Sequence, residues 1–159
     1  MNNLFRILTL IFFLTVQLTF AQTNSQNLWQ DIDQSQIVPV GQRYIIPQSY
    51  RTVTLDIEGM RNFLTDAPLE FSNESKSKSL VLSLPMPDGT MQKFSILESP
   101  VMASELAAKY PDIKTYTGKG IDDSYASVKL DLTMHGFHAM IFTAEGNIFI
   151  DPYSLGDIH

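Results

Sequence analysis

Between Ala126 and Ile150 the chain alternates apolar and polar side chains in three runs, parted by two short breaks that each carry a glycine. A period of two places successive side chains on opposite faces of a strand, so this pattern constrains the fold more than any other in the chain. Ala126, Val128, Leu130 and Leu132 share one face, with Ser127, Lys129 and Asp131 on the other. Phe137, Ala139 and Ile141 oppose His138, Met140 and Phe142, and because both faces are largely apolar this strand is predicted to be central. Met134-His135-Gly136 and Glu145-Gly146-Asn147 are short enough for tight connections, which makes an antiparallel meander through Ile148 to Ile150.

The preceding stretches carry the same signals. Leu80, Leu82 and Leu84 alternate into Pro-Met-Pro-Asp-Gly, and Gln92, Phe94 and Ile96 resume the alternation, which predicts a hairpin around Asp88-Gly89. Arg51 to Ile57 alternates as a half-buried strand. Asp56 is placed to cap a short helix in which Ile57, Met60, Arg61 and Leu64 recur at helical spacing, closed by Ala67-Pro68. Ser99-Pro100 has the composition of a second helix start, with Met102, Ala103, Leu106, Ala107 and Tyr110 forming its apolar stripe, Lys109 near its negative end, and Pro111 beyond. Gly118 and Gly120 are expected at left-handed or closely packed backbone positions. The predicted class is α+β, an antiparallel sheet of about five to seven strands with one or two short helices on a face.

Met1 to Ala21 has the form of an export signal: one cation, Arg6, precedes the apolar run ILTLIFFLTVQLTF, and the small residue Ala21 marks the expected cleavage point. The run is short for a membrane span, which needs about 20 residues. The chain is therefore expected to be secreted or periplasmic. It contains no cysteine, so its stability rests on packing, and neither a disulfide framework nor a thiolate metal site is available. Acidic residues outnumber basic ones, 17 to 11, and loss of Arg6 with the signal makes the remainder more acidic still. Nucleic acid and anionic membrane, both bound through excess cationic charge, are disfavoured as partners. The polar stretch 22–41 is expected to be a flexible lead-in from which Trp29 docks onto the rest of the chain, Ser72 to Ser79 a solvated connector, and residues 154–159 a frayed linker.

Candidate chemistry is sparse. His135 and His138 are three apart across a glycine-bearing turn, a spacing that suits neither a helical nor a strand metal pair. Asp122-Asp123 lacks the ligand series and terminal Glu of a calcium loop and is expected to close an Asx turn. Gly-Lys-Gly-Ile does not have P-loop spacing, no nucleophile elbow occurs, and His-Glu-x-x-His is absent from the sequence.

Glu-Ser-Pro-Val-Met at 98–102, Tyr-Pro-Asp-Ile-Lys-Thr-Tyr-Thr-Gly-Lys-Gly-Ile-Asp-Asp at 110–123, His-Gly-Phe-His-Ala-Met-Ile at 135–141 and Ile-Asp-Pro-Tyr at 150–153 together are distinctive. In this wording the chain resembles the N-terminal pro-region of secreted Bacteroidetes zinc metallopeptidases of the reprolysin-like metzincin type, over residues 42–153. The resemblance implies an inhibitory and chaperoning pro-domain, without catalytic or metal-binding residues of its own, whose partner is a metzincin catalytic domain that alone holds zinc. In such proteins the catalytic domain, adhesive modules and a type IX sorting tail follow, so a chain of this length is expected to be a pro-domain parted from them. Asp151, Asp157 and His159 are then the donors available to touch the partner's zinc or block its cleft, with steric blocking favoured. Tyr116, Tyr125 and Phe149 are candidate interface anchors. A second expectation, from another class, is a free-standing secreted β-rich module that binds a polysaccharide or a protein.

Overall fold

The computed structural model describes residues 25–158; the signal segment 1–21 and His159 lie outside them. The fold is α+β and mostly antiparallel sheet, as the alternation predicts. Within the described residues a two-stranded ribbon pairs β1 (Trp29–Asp31) with β2 (Val53–Leu55), and a six-stranded antiparallel sheet runs in sequence order. Its strands are β3 (Leu80–Pro85), β4 (Met91–Glu98), β5 (Lys114–Gly120), β6 (Ser127–Thr133), β7 (Gly136–Thr143) and β8 (Gly146–Ile150). Helix α1 spans Ile57–Leu64 and the one-turn helix α2 spans Ser104–Ala107.

The period-two runs become strands in the expected register. Val128, Leu130 and Leu132 of β6 face Ile141, Ala139 and Phe137 of β7 across the ladder, and all six are buried. Gly136, at φ 109°, takes the left-handed position that closes the turn at Met134-His135. β7 sits one place in from the edge rather than at the centre, because β8 is the last strand and Phe142 on the second face stays partly exposed. α1 begins where Asp56 Oδ1 accepts the Gly59 N–H at 2.9 Å, and it buries Ile57, Met60, Phe63 and Leu64 in the same cluster as the strands. Each such side chain contributes about 1.5–3 kcal/mol by leaving water.

Several sequence expectations are corrected. The lead-in is held, not loose, from Ser25 onward. Ser25 Oγ donates to the Val81 carbonyl and accepts the Ser83 N–H at 2.9 Å, Trp29 Nε1 donates to the Ser83 carbonyl at 3.1 Å, and Leu28 enters the core. Side chains thus stand in for a neighbouring strand along the outer edge of β3, so the folded unit reaches back beyond Gln42. The second helix does not begin at Ser99-Pro100. There the Ser99 N–H donates to the Thr115 carbonyl at 2.8 Å, Thr115 Oγ1 donates to the Ser99 carbonyl at 2.6 Å, and Ser99 Oγ donates to the Glu70 carboxylate. These partners extend the sheet, and α2 starts only after Ala103, with Leu106 and Tyr110 exposed and no buried residue.

β5 carries two glycines and has no predicted counterpart in the sequence. Gly118 faces the core, where a Cβ would run into Ile96 Cδ1 and Val128 Cγ1 from the strands on either side. Close packing, not a left-handed backbone, is therefore what the position requires. Gly118→Ala is expected to destabilise the domain by about 1–3 kcal/mol through overpacking, read as a lower urea midpoint with unchanged slope. A neutral result would show that the two neighbouring side chains yield freely.

Candidate binding cleft

A cleft of about 580 Å³ runs between the ribbon and the free end of the large sheet, within the range of roughly 300–1,000 Å³ typical of ligand sites. Every residue from Ser49 to Val53 lines one wall and every residue from Asn147 to Tyr153 the other. A strand that offers only a face to a cavity touches it at alternate residues, so the consecutive contact of Asn147 to Ile150 means that the cleft runs along the edge of β8, whereas β2 contributes Val53 and Leu55. Trp29 and Phe137 meet at its floor, edge to face at 5.4 Å and 77°.

Two arginines organise the ribbon side. Arg51 donates to Asp31 through Nε at 2.6 Å and Nη2 at 2.8 Å, and its Nη1 reaches the Met86 and Thr90 carbonyls, each at 3.1 Å. This fork ties β1 and β2 to the β3–β4 turn. The guanidinium holds the Asp31 carboxyl below its ordinary range, mainly by hydrogen bonding. Arg43 lies over the ring of Tyr153 at 4.0 Å and near that of Tyr50 at 5.4 Å, and its Nη1 donates to the Tyr153 hydroxyl at 3.1 Å. Gln34 joins both tyrosines, donating to the Tyr153 hydroxyl at 3.2 Å and accepting from Tyr50 at 2.8 Å. Among the described residues Arg43 Nε is buried with no hydrogen-bond partner and no carboxylate pairs with this guanidinium.

The expected site residues are dispersed. Phe149, 61% exposed, and Asp151, also exposed, line this cleft and a second one of about 400 Å³ on the other face of the sheet. Asp157 lines the first cleft but is only 8% exposed, and its N–H donates to the Ser154 carbonyl at 3.0 Å. Residues 154–158 are therefore clamped, not frayed. The buried Ser154 Oγ accepts the N–H groups of Val40 and Gly41, and the Leu155 N–H donates to the Gln42 carbonyl. His159 lies outside the described residues. Tyr125 is 86% exposed on an Asx turn whose Asp123 Oδ1 accepts its N–H at 2.9 Å, and it does not line the cleft.

Tyr116 is corrected outright: at 4% exposure its ring belongs to the core and is no surface anchor, because the inward parity of β5 carries it there. His135 and His138 are likewise separate in role. The His135 N–H donates to Thr133 Oγ1 in the turn, and His138 Nδ1 lies 3.5 Å from Asp131 across the β6–β7 ladder. Sequence inspection missed Arg43, Tyr50 and Tyr153 because no local pattern links residues that meet only through the fold. Among the described residues no group of three potential ligands is placed to hold a metal, and no helix is long and apolar enough to cross a membrane. Comparison with protein-family models, curated proteins and solved structures finds no match to this chain.

Burial, reinforced by the nearby Glu98 carboxylate and opposed by Arg61, pushes the Tyr116 hydroxyl from 10.0 up to about 12. The folded state thus holds a proton that the unfolded chain releases near pH 10, so stability is expected to fall as pH rises from about 10 to about 12. Urea titrations across that window are expected to show a shallower decline for Tyr116→Phe than for the unaltered protein. Equal slopes would assign the loss to other groups.

Proposed function

We propose that this domain is a protein-binding pro-domain that restrains a reprolysin-like zinc metallopeptidase by blocking its cleft sterically. The observation that carries protein binding is the cleft itself: the edge of β8 flanks it, an aromatic pair lies at its floor, and an arginine with no carboxylate partner among the described residues stands beside it. The segment before β2 adds Val38, Val40, Tyr44, Ile45 and Ile46, all exposed, and residues 40–42 of it are bonded to the clamped residues Ser154 and Leu155. Concentrated apolar exposure of this kind is characteristic of interaction surfaces. The peptidase as partner rests on the wording of residues 98–153.

Latency on this proposal is steric. Asp151 is the exposed carboxylate at the cleft, whereas Asp157 is enclosed, and changing Asp157 perturbs the clamp as well as any contact. Added in trans to a reprolysin-like catalytic domain, the purified chain is expected to slow peptide hydrolysis at micromolar concentration. Asp151→Ala is expected to weaken that inhibition by less than about tenfold, or 1.4 kcal/mol. A hundredfold loss with the fold intact would replace steric blocking by a direct zinc contact. No inhibition at tens of micromolar would remove the peptidase as partner and leave a free-standing binding module.

A further inference from the structure

The backbone bonding of the two cleft walls points to a specific kind of occupant. In the β7–β8 hairpin the two-residue turn after Thr143 makes Thr143 and Gly146 a hydrogen-bonded pair, and alternation extends this to Ile141 with Ile148 and Ala139 with Ile150. Asn147 and Phe149 therefore turn their N–H and C=O groups away from β7. In the ribbon, the Ile32 N–H donates to the Thr52 carbonyl at 3.1 Å and the Asp56 N–H to the Leu28 carbonyl at 2.9 Å. The same parity pairs Gln30 with Thr54, so Val53 and Leu55 turn their N–H and C=O groups away from β1. All four residues line the cleft, and none of their backbone groups has a hydrogen-bond partner outside its own ladder among the described residues.

The treatment of the sheet edges differs. β3 is covered by Ser25 and Trp29, whereas β8, Gly-Asn-Ile-Phe-Ile, has no charge and no proline and is the last strand of the sheet among the described residues. Native edges are ordinarily guarded by one of these devices. Outward-turned backbone groups on both sides of one cleft match the donors and acceptors of a polypeptide backbone.

We propose that the cleft is a strand-acceptor slot that takes one extended segment of a partner protein between β8 and β2. Alternate apolar side chains of that segment face Trp29 and Phe137, and an acidic side chain meets Arg43. The proposal rests on the domain being a protein-binding module and deepens it, but it does not require the partner to be a peptidase.

The test uses the purified chain and an acetylated, amidated eight-residue peptide of alternating Thr and Val with one central Glu, labelled for fluorescence polarisation. Binding is expected at a dissociation constant on the order of 100 µM or tighter. N-methylation of alternate peptide nitrogens, or Glu replaced by Lys in the peptide, is expected to weaken it at least about tenfold. Phe149→Pro removes an outward N–H without touching the β7 ladder, and edge strands tolerate proline, so this variant is expected to melt normally and bind at least about tenfold more weakly. Hydrogen exchange is expected to slow at the amides of Val53, Leu55, Asn147 and Phe149 when peptide is added. Equal binding of the N-methylated peptide, no binding at millimolar peptide, or protection confined to other amides would overturn the slot. So would a dimer in the free chain in which those four amides are already protected. Peptide binding without peptidase inhibition leaves the slot standing and removes the pro-domain function. Inhibition that survives Phe149→Pro undiminished does the reverse.

Discussion

The bonding of Ser25 and Trp29 to the outer edge of β3 is the constraint on which the rest of the arrangement depends. A β-sheet that ends in bare N–H and C=O groups invites pairing with any other chain. Here Ser25 Oγ both donates and accepts, and the Trp29 indole adds a third bond, so that edge is satisfied by side chains more than fifty residues away in sequence. The same contacts bring Leu28 into the core and fix the ribbon, which in turn sets one wall of the cleft. Arg51 completes the attachment by reaching both Asp31 and the turn between β3 and β4.

With one edge closed in this way, the opposite end of the sheet stands out. The chain after β8 bends away at Asp151-Pro152 and is pinned to residues 40–42 through Ser154 and Leu155, so it does not cover the strand. An ordered surround with an open edge at its centre is a preorganised arrangement, in which little further ordering opposes an incoming strand. Arg43, stacked on Tyr153, is held in place before any ligand arrives.

A cysteine-free domain must achieve this order by packing alone, and the inner surface of the sheet shows how closely it is packed. Gly118 leaves no room for a methyl group between Ile96 and Val128, and Tyr116 is desolvated enough for its hydroxyl to resist ionisation. Close packing of this kind has low compressibility and holds the strands beside the cleft in place.

The sequence by itself determined those parts of the fold whose cause is local. Alternation in β3, β4, β6 and β7, the turns at Asp88-Gly89 and Met134-His135, and the Asp56 cap of α1 were all legible, because side-chain period and turn chemistry act over a few residues. Only the tertiary structure decided the others. β1 is three residues long, and its place is set by bonds to β3 and pairing with β2, which leave no periodic trace. β5 reads as a loop because its inward positions are Tyr116 and Gly118, residues whose fit depends on neighbouring strands. Ser99-Pro100 has the local chemistry of a helix start, but Thr115 and Glu70 offer its polar groups better partners across the fold. The cleft belongs wholly to this second kind: open edges, an arginine between tyrosines and a buried aspartate at 157 are relations between distant segments, and a linear pattern records only what neighbours in sequence do to one another.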